Sequence, residues 1–91
     1  MASYMAHIER SNRKDLDHVE VQVTLVETSS GRRSWSGEFT SRSADGILPN
    51  ERIGVTLDNG QKGSARVSAT YFDSRMPDAT VVQFTGIDQL A

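Results

Sequence analysis

The strongest constraint on this chain is an alternation of apolar and polar residues. In five segments apolar side chains recur at every second position, the period of a strand with one buried face. No segment carries a convincing helical period of apolar residues. Asn59-Gly60 separates two of the segments, and Asn-Gly is the strongest short-range signal for a β-hairpin. The five segments are Val19–Leu25, Trp35–Phe39, Ile53–Leu57, Ala65–Tyr71 and Val81–Thr85.

Strands this short cannot bury a core as one flat sheet. We therefore expect an all-β fold, a small closed or partly open antiparallel barrel of five to six strands. The 91 residues fit one domain. We expect residues 1–8 to be disordered and residues 9–91 to form the barrel domain, with residues 9–18 as a basic N-terminal arm.

The aromatic residues are best explained as core. A domain of this size needs its large side chains inside, although exposed aromatic rings on a small barrel can also stack on bases. Gly37, inside the second segment, indicates a bulge or a close backbone approach. Tyr71 and Phe72 are adjacent, so only one of them can face inward. The expected core aromatics are Trp35, Phe39 and Phe84.

The residue types that usually carry catalysis are absent or poorly placed. The chain has no cysteine, which excludes disulfides, thiolate zinc sites and a cysteine nucleophile. Neither histidine lies within the strand pattern, and there is no Gly-x-Ser-x-Gly elbow. His18 lies beside Asp15, Asp17 and Glu20, but such a run is more often a solvated strand entry than a metal site. We predict a protein that is not an enzyme, with no catalytic residues, metal or cofactor.

Charge and hydropathy limit the classes of partner that we expect the chain to bind. The net charge of −2 with 24% charged residues is typical of an ordinary soluble surface and disfavours nucleic acid as a partner. No apolar run approaches the roughly 20 residues of a membrane span. We expect no membrane insertion, and a domain without disulfides fits a reducing cytoplasm.

Two polar segments are candidates for ligand binding. Arg10, Arg13 and Lys14 cluster before the first alternating segment, and guanidinium groups bind phosphate and guanine edges and stack on purines. Residues 41–46, Ser-Arg-Ser-Ala-Asp-Gly, offer hydroxyl groups and a glycine that lets a ligand approach the backbone. Taken separately, the first segment is better explained as a solvated charge cluster and the second as an ordinary loop.

Together the two segments resemble the signature of the PilZ family, small β-barrel receptors for the bacterial second messenger cyclic di-GMP. That signature is Arg-x-x-x-Arg on an N-terminal arm, followed by [Asp/Asn]-x-Ser-x-x-Gly at the end of a barrel strand. Residues 10–14 supply the first element, with Lys14 at the second basic position or Arg13 out of register. Residues 41–46 match the second element at Ser43 and Gly46.

The resemblance covers roughly residues 9–90 and implies a cytoplasmic signalling receptor whose arm wraps cyclic di-GMP. In the family's mechanism, basic residues of the arm contact phosphate and guanine, hydroxyl groups of the second element bond a guanine edge or phosphate, and its glycine permits a tight loop. The ligand-binding residues that the resemblance implies are Arg10, Arg13, Lys14, Ser41, Ser43 and Gly46.

Two positions depart from the family pattern, which leaves alternatives open. Lys14 is a point charge where the family has a planar fork, and Ser41 replaces an acid or amide. Each change costs on the order of 1–3 kcal/mol of binding. The alternatives are a barrel that does not bind the nucleotide and acts as a protein–protein adaptor, and an SH3- or OB-like nucleic-acid binder. A shared ligand site requires residues 9–14 and 41–46 at the same end of the barrel.

Overall fold

The computed structural model describes residues 2–11, 13–27, 29–31, 33–42 and 45–91. Within these ranges the chain forms six β-strands and no α-helix. Consistent with this, no helix among them is long and apolar enough to cross a membrane. The strands are β1 (Ala2–Arg10), β2 (Leu16–Glu27), β3 (Arg33–Arg42), β4 (Arg52–Leu57), β5 (Lys62–Asp73) and β6 (Met76–Gly86).

The six strands close into an antiparallel barrel in the order β1-β2-β3-β6-β5-β4, which confirms the predicted fold class. β1 to β3 form one three-stranded meander and β4 to β6 form a second. Two seams join the meanders: β1 pairs with β4 at Ala6↔Leu57, and β3 pairs with β6 at Phe39↔Val82. The connection from β3 to β4 passes from one meander to the other, and its buried Ile47 covers that end of the core.

The inward positions of the strands form one core. Trp35, Phe39 and Phe84 are all buried, as the sequence predicts, and the Trp35 and Phe84 rings meet edge to face with centroids 5.7 Å apart. Gly37 is a close-approach position, because a Cβ there would lie 2.6 Å from the Phe84 ring and would also meet the carbonyl oxygen of Gln22. The glycine thus makes room for an aromatic ring across the strand.

The N-terminal segment corrects the expectation of disorder over residues 1–8. Residues 2–10 form β1, which pairs with β2 on one side and β4 on the other, and Ile8 is completely buried. The expected arm over residues 9–18 is reduced to the short loop between β1 and β2. The alternation of β1 is hard to detect because its last inward residue is Arg10, a charged side chain at a core position.

The hairpin predicted at Asn59-Gly60 is present, with a three-residue loop. Leu57 and Gln61 are hydrogen bonded across it, and Gly60 adopts φ 91°. A two-residue type I′ turn would need a positive φ at Asn59 as well. The geometry is that of the next most common hairpin loop, which places glycine at the left-handed position.

The β5–β6 hairpin extends past the rest of the barrel. The β4–β5 register ends at Arg52↔Arg66, and the β3–β6 register ends at Arg42↔Ala79. Tyr71 and Phe72 lie beyond the β4–β5 pairing, and both are exposed, although their β6 partners Val81 and Thr80 still pair with β3.

Candidate functional site

The two candidate segments lie at the same end of the barrel. The β1–β2 loop and the end of β3 border an open cleft of ≈ 500 Å³. Asp45, from the described part of the β3–β4 connection, also lines this cleft. This is the arrangement that a shared ligand site requires. The charged side chains on its walls are Arg10, Arg13, Lys14, Asp15, Asp17, Arg42 and Asp45.

Arg10 is held inside the protein. Its Nε and Nη2 donate to the two carboxylate oxygens of Glu51 at 2.8 and 2.9 Å, and Nη1 donates to the Asp45 carbonyl at 2.7 Å. Its side chain is only 2% exposed. Hydrogen bonding to Arg10 lowers the pKa of Glu51, and the pKa of Arg10 is raised in turn. Arg10 therefore ties β1 to the β3–β4 connection, and the ligand contact that the sequence predicts for it would require this pair to open.

Asp15 holds the β1–β2 loop in place. One carboxylate oxygen accepts a bond from the Arg10 backbone N–H at 3.1 Å, and the other contacts His7 Nε2 at 3.2 Å. His7 Nδ1 lies 3.5 Å from Asp17. The bond to Asp15 is the main reason that the pKa of His7 is raised. The pKa of Asp15 is lowered, chiefly by the Arg10 N–H and then by His7.

Arg13 and Lys14 stand on this loop with exposed side chains. Arg13 lies over Gly46, since a Cβ built on that glycine would be 3.6 Å from Arg13 Nη1. Gly46 adopts φ +66°, in the left-handed region that glycine tolerates best. The first motif segment therefore contacts the second through the bond from Arg10 to the Asp45 carbonyl, and it places Arg13 close to Gly46.

Ser41 lines the cleft from the end of β3. It is 8% exposed, and its hydroxyl oxygen is buried without a hydrogen-bond partner among the described residues. A buried hydroxyl without a partner costs about 1–3 kcal/mol, so its presence in a cleft calls for an explanation. Ser43, the other hydroxyl residue that the resemblance implies, lies outside the described residues.

Arg42 is a cation of the cleft that the resemblance does not imply. It stands inside the second motif segment, on the face of β3 opposite to Ser41, and its side chain is exposed. Its backbone N–H donates to the Asp45 carboxylate at 3.1 Å. The sequence signal for Arg42 is its positive charge between two hydroxyl residues, Ser41 and Ser43.

The charges of the cleft are unevenly satisfied. All three acids accept hydrogen bonds from within the protein: Asp15 from Arg10, Asp17 from the His18 N–H, and Asp45 from the Arg42 N–H. The cationic groups of Arg13, Lys14 and Arg42 form no ion pair with any acid in the part of the chain that the structure describes. The N–H donors of these three cations are therefore available to a ligand, in a cleft whose three carboxylates balance their charge.

Comparisons with protein-family models, with curated proteins and with solved structures each found no match. The PilZ resemblance consequently stays a prediction that rests on its motif residues. The described residues also contain no group of three or more His, Asp or Glu side chains arranged to hold a metal ion.

Proposed function

We propose that this chain is a binding module for a phosphate-bearing nucleotide, and that cyclic di-GMP is its ligand. The observation that carries the proposal is made among the described residues: three cations without an ion pair and one buried hydroxyl without a hydrogen-bond partner meet at a single cleft. The choice of cyclic di-GMP comes from the PilZ resemblance. In this proposal the protein is a cytoplasmic signalling receptor of bacterial type and not an enzyme.

Each residue would contribute a distinct contact. Arg13 would bond a phosphate bidentately or stack on a guanine, since the planar guanidinium does both. Lys14 and Arg42 would neutralise the remaining phosphate charge. Ser41 would complete its missing hydrogen bond with the ligand. Arg10 would act indirectly, by holding Asp45 and so the loop that reaches Gly46.

Calorimetric titration with cyclic di-GMP tests the proposal. We expect micromolar binding that weakens at least tenfold in Arg13→Ala, because a charge-assisted bidentate contact is worth about 1.5–3 kcal/mol. Arg66→Ala is the matched control, because Arg66 is an exposed cation of β5 outside the cleft. Absence of heat with ligand at about 100 μM would contradict the proposal and favour the adaptor alternative.

Ser41→Ala separates ligand binding from stability. Removal of a buried hydroxyl that lacks a partner should leave the free energy of unfolding unchanged or raise it by about 1 kcal/mol. The same change should weaken cyclic di-GMP binding several-fold. Urea unfolding and calorimetry on the one variant measure both effects. A loss of stability without a loss of affinity would show that Ser41 serves the fold and not the ligand.

A further inference from the structure

A second concave surface lies next to the cleft and shares Thr40 with it. It is a groove of ≈ 780 Å³ between the outer face of β2 and β3 and the projecting β5–β6 hairpin. Its two walls differ in chemistry. The side chains used in the argument below are Glu20, Glu38, Tyr71, Phe72, Arg75 and Met76.

The hairpin wall is apolar and exposed. Tyr71, Phe72 and Met76 are 47%, 73% and 46% exposed, and all three line the groove. Surface apolar residues are unremarkable singly, but a group of them marks an interaction surface. They lie on the part of the hairpin that runs beyond the pairing with β4, and Met76 also lies beyond the pairing with β3.

The opposite wall is acidic. Glu20 of β2 and Glu38 of β3 share the outer face, one row apart, because Gln22 pairs with Glu38. Glu20 accepts a bond from Ser3 Oγ at 3.0 Å, and Glu38 accepts one from Gln83 Nε2 at 3.5 Å. Neither carboxylate forms an ion pair within the described ranges. The tip of the hairpin adds one cation, Arg75, so carboxylates outnumber cations on the described groove lining.

The backbone of β6 offers a third kind of contact. Residues 76–78 precede Ala79, the residue at which the pairing of β6 with β3 begins. On the side away from β5, no described strand pairs with them. Such an edge can accept main-chain hydrogen bonds from an extended chain at its carbonyl groups, but Pro77 has no N–H to donate.

We propose that this groove binds an extended, positively charged segment of a partner protein. Lysine or arginine side chains of the segment would pair with Glu20 and Glu38, and an apolar side chain would pack on Phe72. Tyr71 and Phe72 also suit a cation, because an aromatic face attracts ammonium and guanidinium groups. Nucleic acid does not fit this surface, since the two carboxylates would repel its phosphates. The proposal is independent of whether the cleft binds a nucleotide.

NMR titration of the isotope-labelled full chain tests the proposal. The probes are a short peptide of alternating arginine and leucine and its counterpart with glutamate in place of arginine. We expect the arginine peptide to bind with a Kd below about 1 mM, more weakly as salt is raised, and to shift the amide signals of Glu38, Thr40 and Phe72. The glutamate peptide should not bind.

Matched variants locate the contact. Phe72→Ser and Glu38→Gln should each weaken binding several-fold. Leu25→Ser removes a similarly exposed apolar residue outside the groove, at 65% exposure, and Glu27→Gln removes a carboxylate elsewhere on β2; both should bind normally. Arg13→Ala should also bind the peptide normally, which keeps this test distinct from that of the cleft.

Three outcomes would overturn the proposal. The first is no binding of the arginine peptide up to about 1 mM. The second is equal binding of both peptides, or signal changes outside the groove. The third is self-association of the chain in sedimentation experiments that Phe72→Ser abolishes, which would assign the groove to a second copy.

Discussion

At the scale of single residues, Arg10 shows how one side chain can serve a fold while carrying a functional motif. An arginine before a strand pattern is read as a surface group, yet its guanidinium is enclosed by Glu51 and the Asp45 carbonyl. The partner carboxylate lies far along the sequence, beyond two intervening strands. The local sequence pattern around Arg10 therefore cannot predict its ion pair with Glu51.

We predict that Arg10→Ala destabilises the protein by about 3–5 kcal/mol, because it leaves Glu51 partly buried and unpaired. Glu51→Gln should cost less, since the amide oxygen can still accept one of the two bonds. The double variant Arg10→Met, Glu51→Leu should recover much of the loss. Urea unfolding measures all three, and a cost below about 1 kcal/mol for Arg10→Ala would show that the pair behaves as a solvated surface bridge.

The ionisation of His7 should make the stability of the protein depend on pH. Its raised pKa means that its contribution is fully present below pH about 6.5, the unfolded-state pKa, and is lost as pH rises through the folded-state value. The lowered pKa values of Asp15 and Asp17 act oppositely: their contribution is present at neutral pH and is lost in acid.

The melting temperature should therefore fall between about pH 6 and pH 8, and His7→Asn should remove that slope. His18→Asn is the matched control, because His18 is nearby but does not join Asp15 to β1; it should keep the slope. An unchanged slope in His7→Asn would assign the titration to another group.

At the scale of elements, alternation predicted the five strands from β2 to β6 because each has apolar residues on its inward side. Alternation did not predict β1, because Arg10 is the last residue of its inward row and the flanking residues are polar. Sequence alternation also could not predict that both Tyr71 and Phe72 are exposed. Their exposure depends on how far β4 pairs with β5, which is set by contacts between distant segments.

Ile8→Ala tests whether β1 belongs to the folded domain. Ile8 is completely buried, so we predict a loss of about 2–5 kcal/mol from transfer and cavity costs. Met5→Ala is the control on the same strand: Met5 is 41% exposed and should change stability by less than about 0.5 kcal/mol. Equal, negligible effects in denaturant melts would support the original expectation of a disordered N-terminus.

At the scale of the whole molecule, the joint position of the two motif segments follows from strand direction. In an antiparallel meander the start of β2 and the end of β3 lie at the same end, so their approach could be predicted once the strands were known. The distribution of hydrogen bonds in the cleft could not be predicted. It depends on which carboxylates lie beside a backbone N–H donor in the folded loops, as Asp45 lies beside the Arg42 N–H.

The two seams also govern how fast the chain can fold. Each meander forms between neighbouring strands, but the barrel closes only when β1 meets β4 and β3 meets β6, pairings that are distant in sequence. Closing such long loops is entropically costly before the seam contacts form, and barrels of this kind fold in roughly milliseconds to seconds. Refolding measured by stopped flow should accordingly be slow for so short a chain. Core substitutions at the seams, such as Leu57→Ala, should slow refolding further, to the extent that the seam contacts are already formed in the folding transition state.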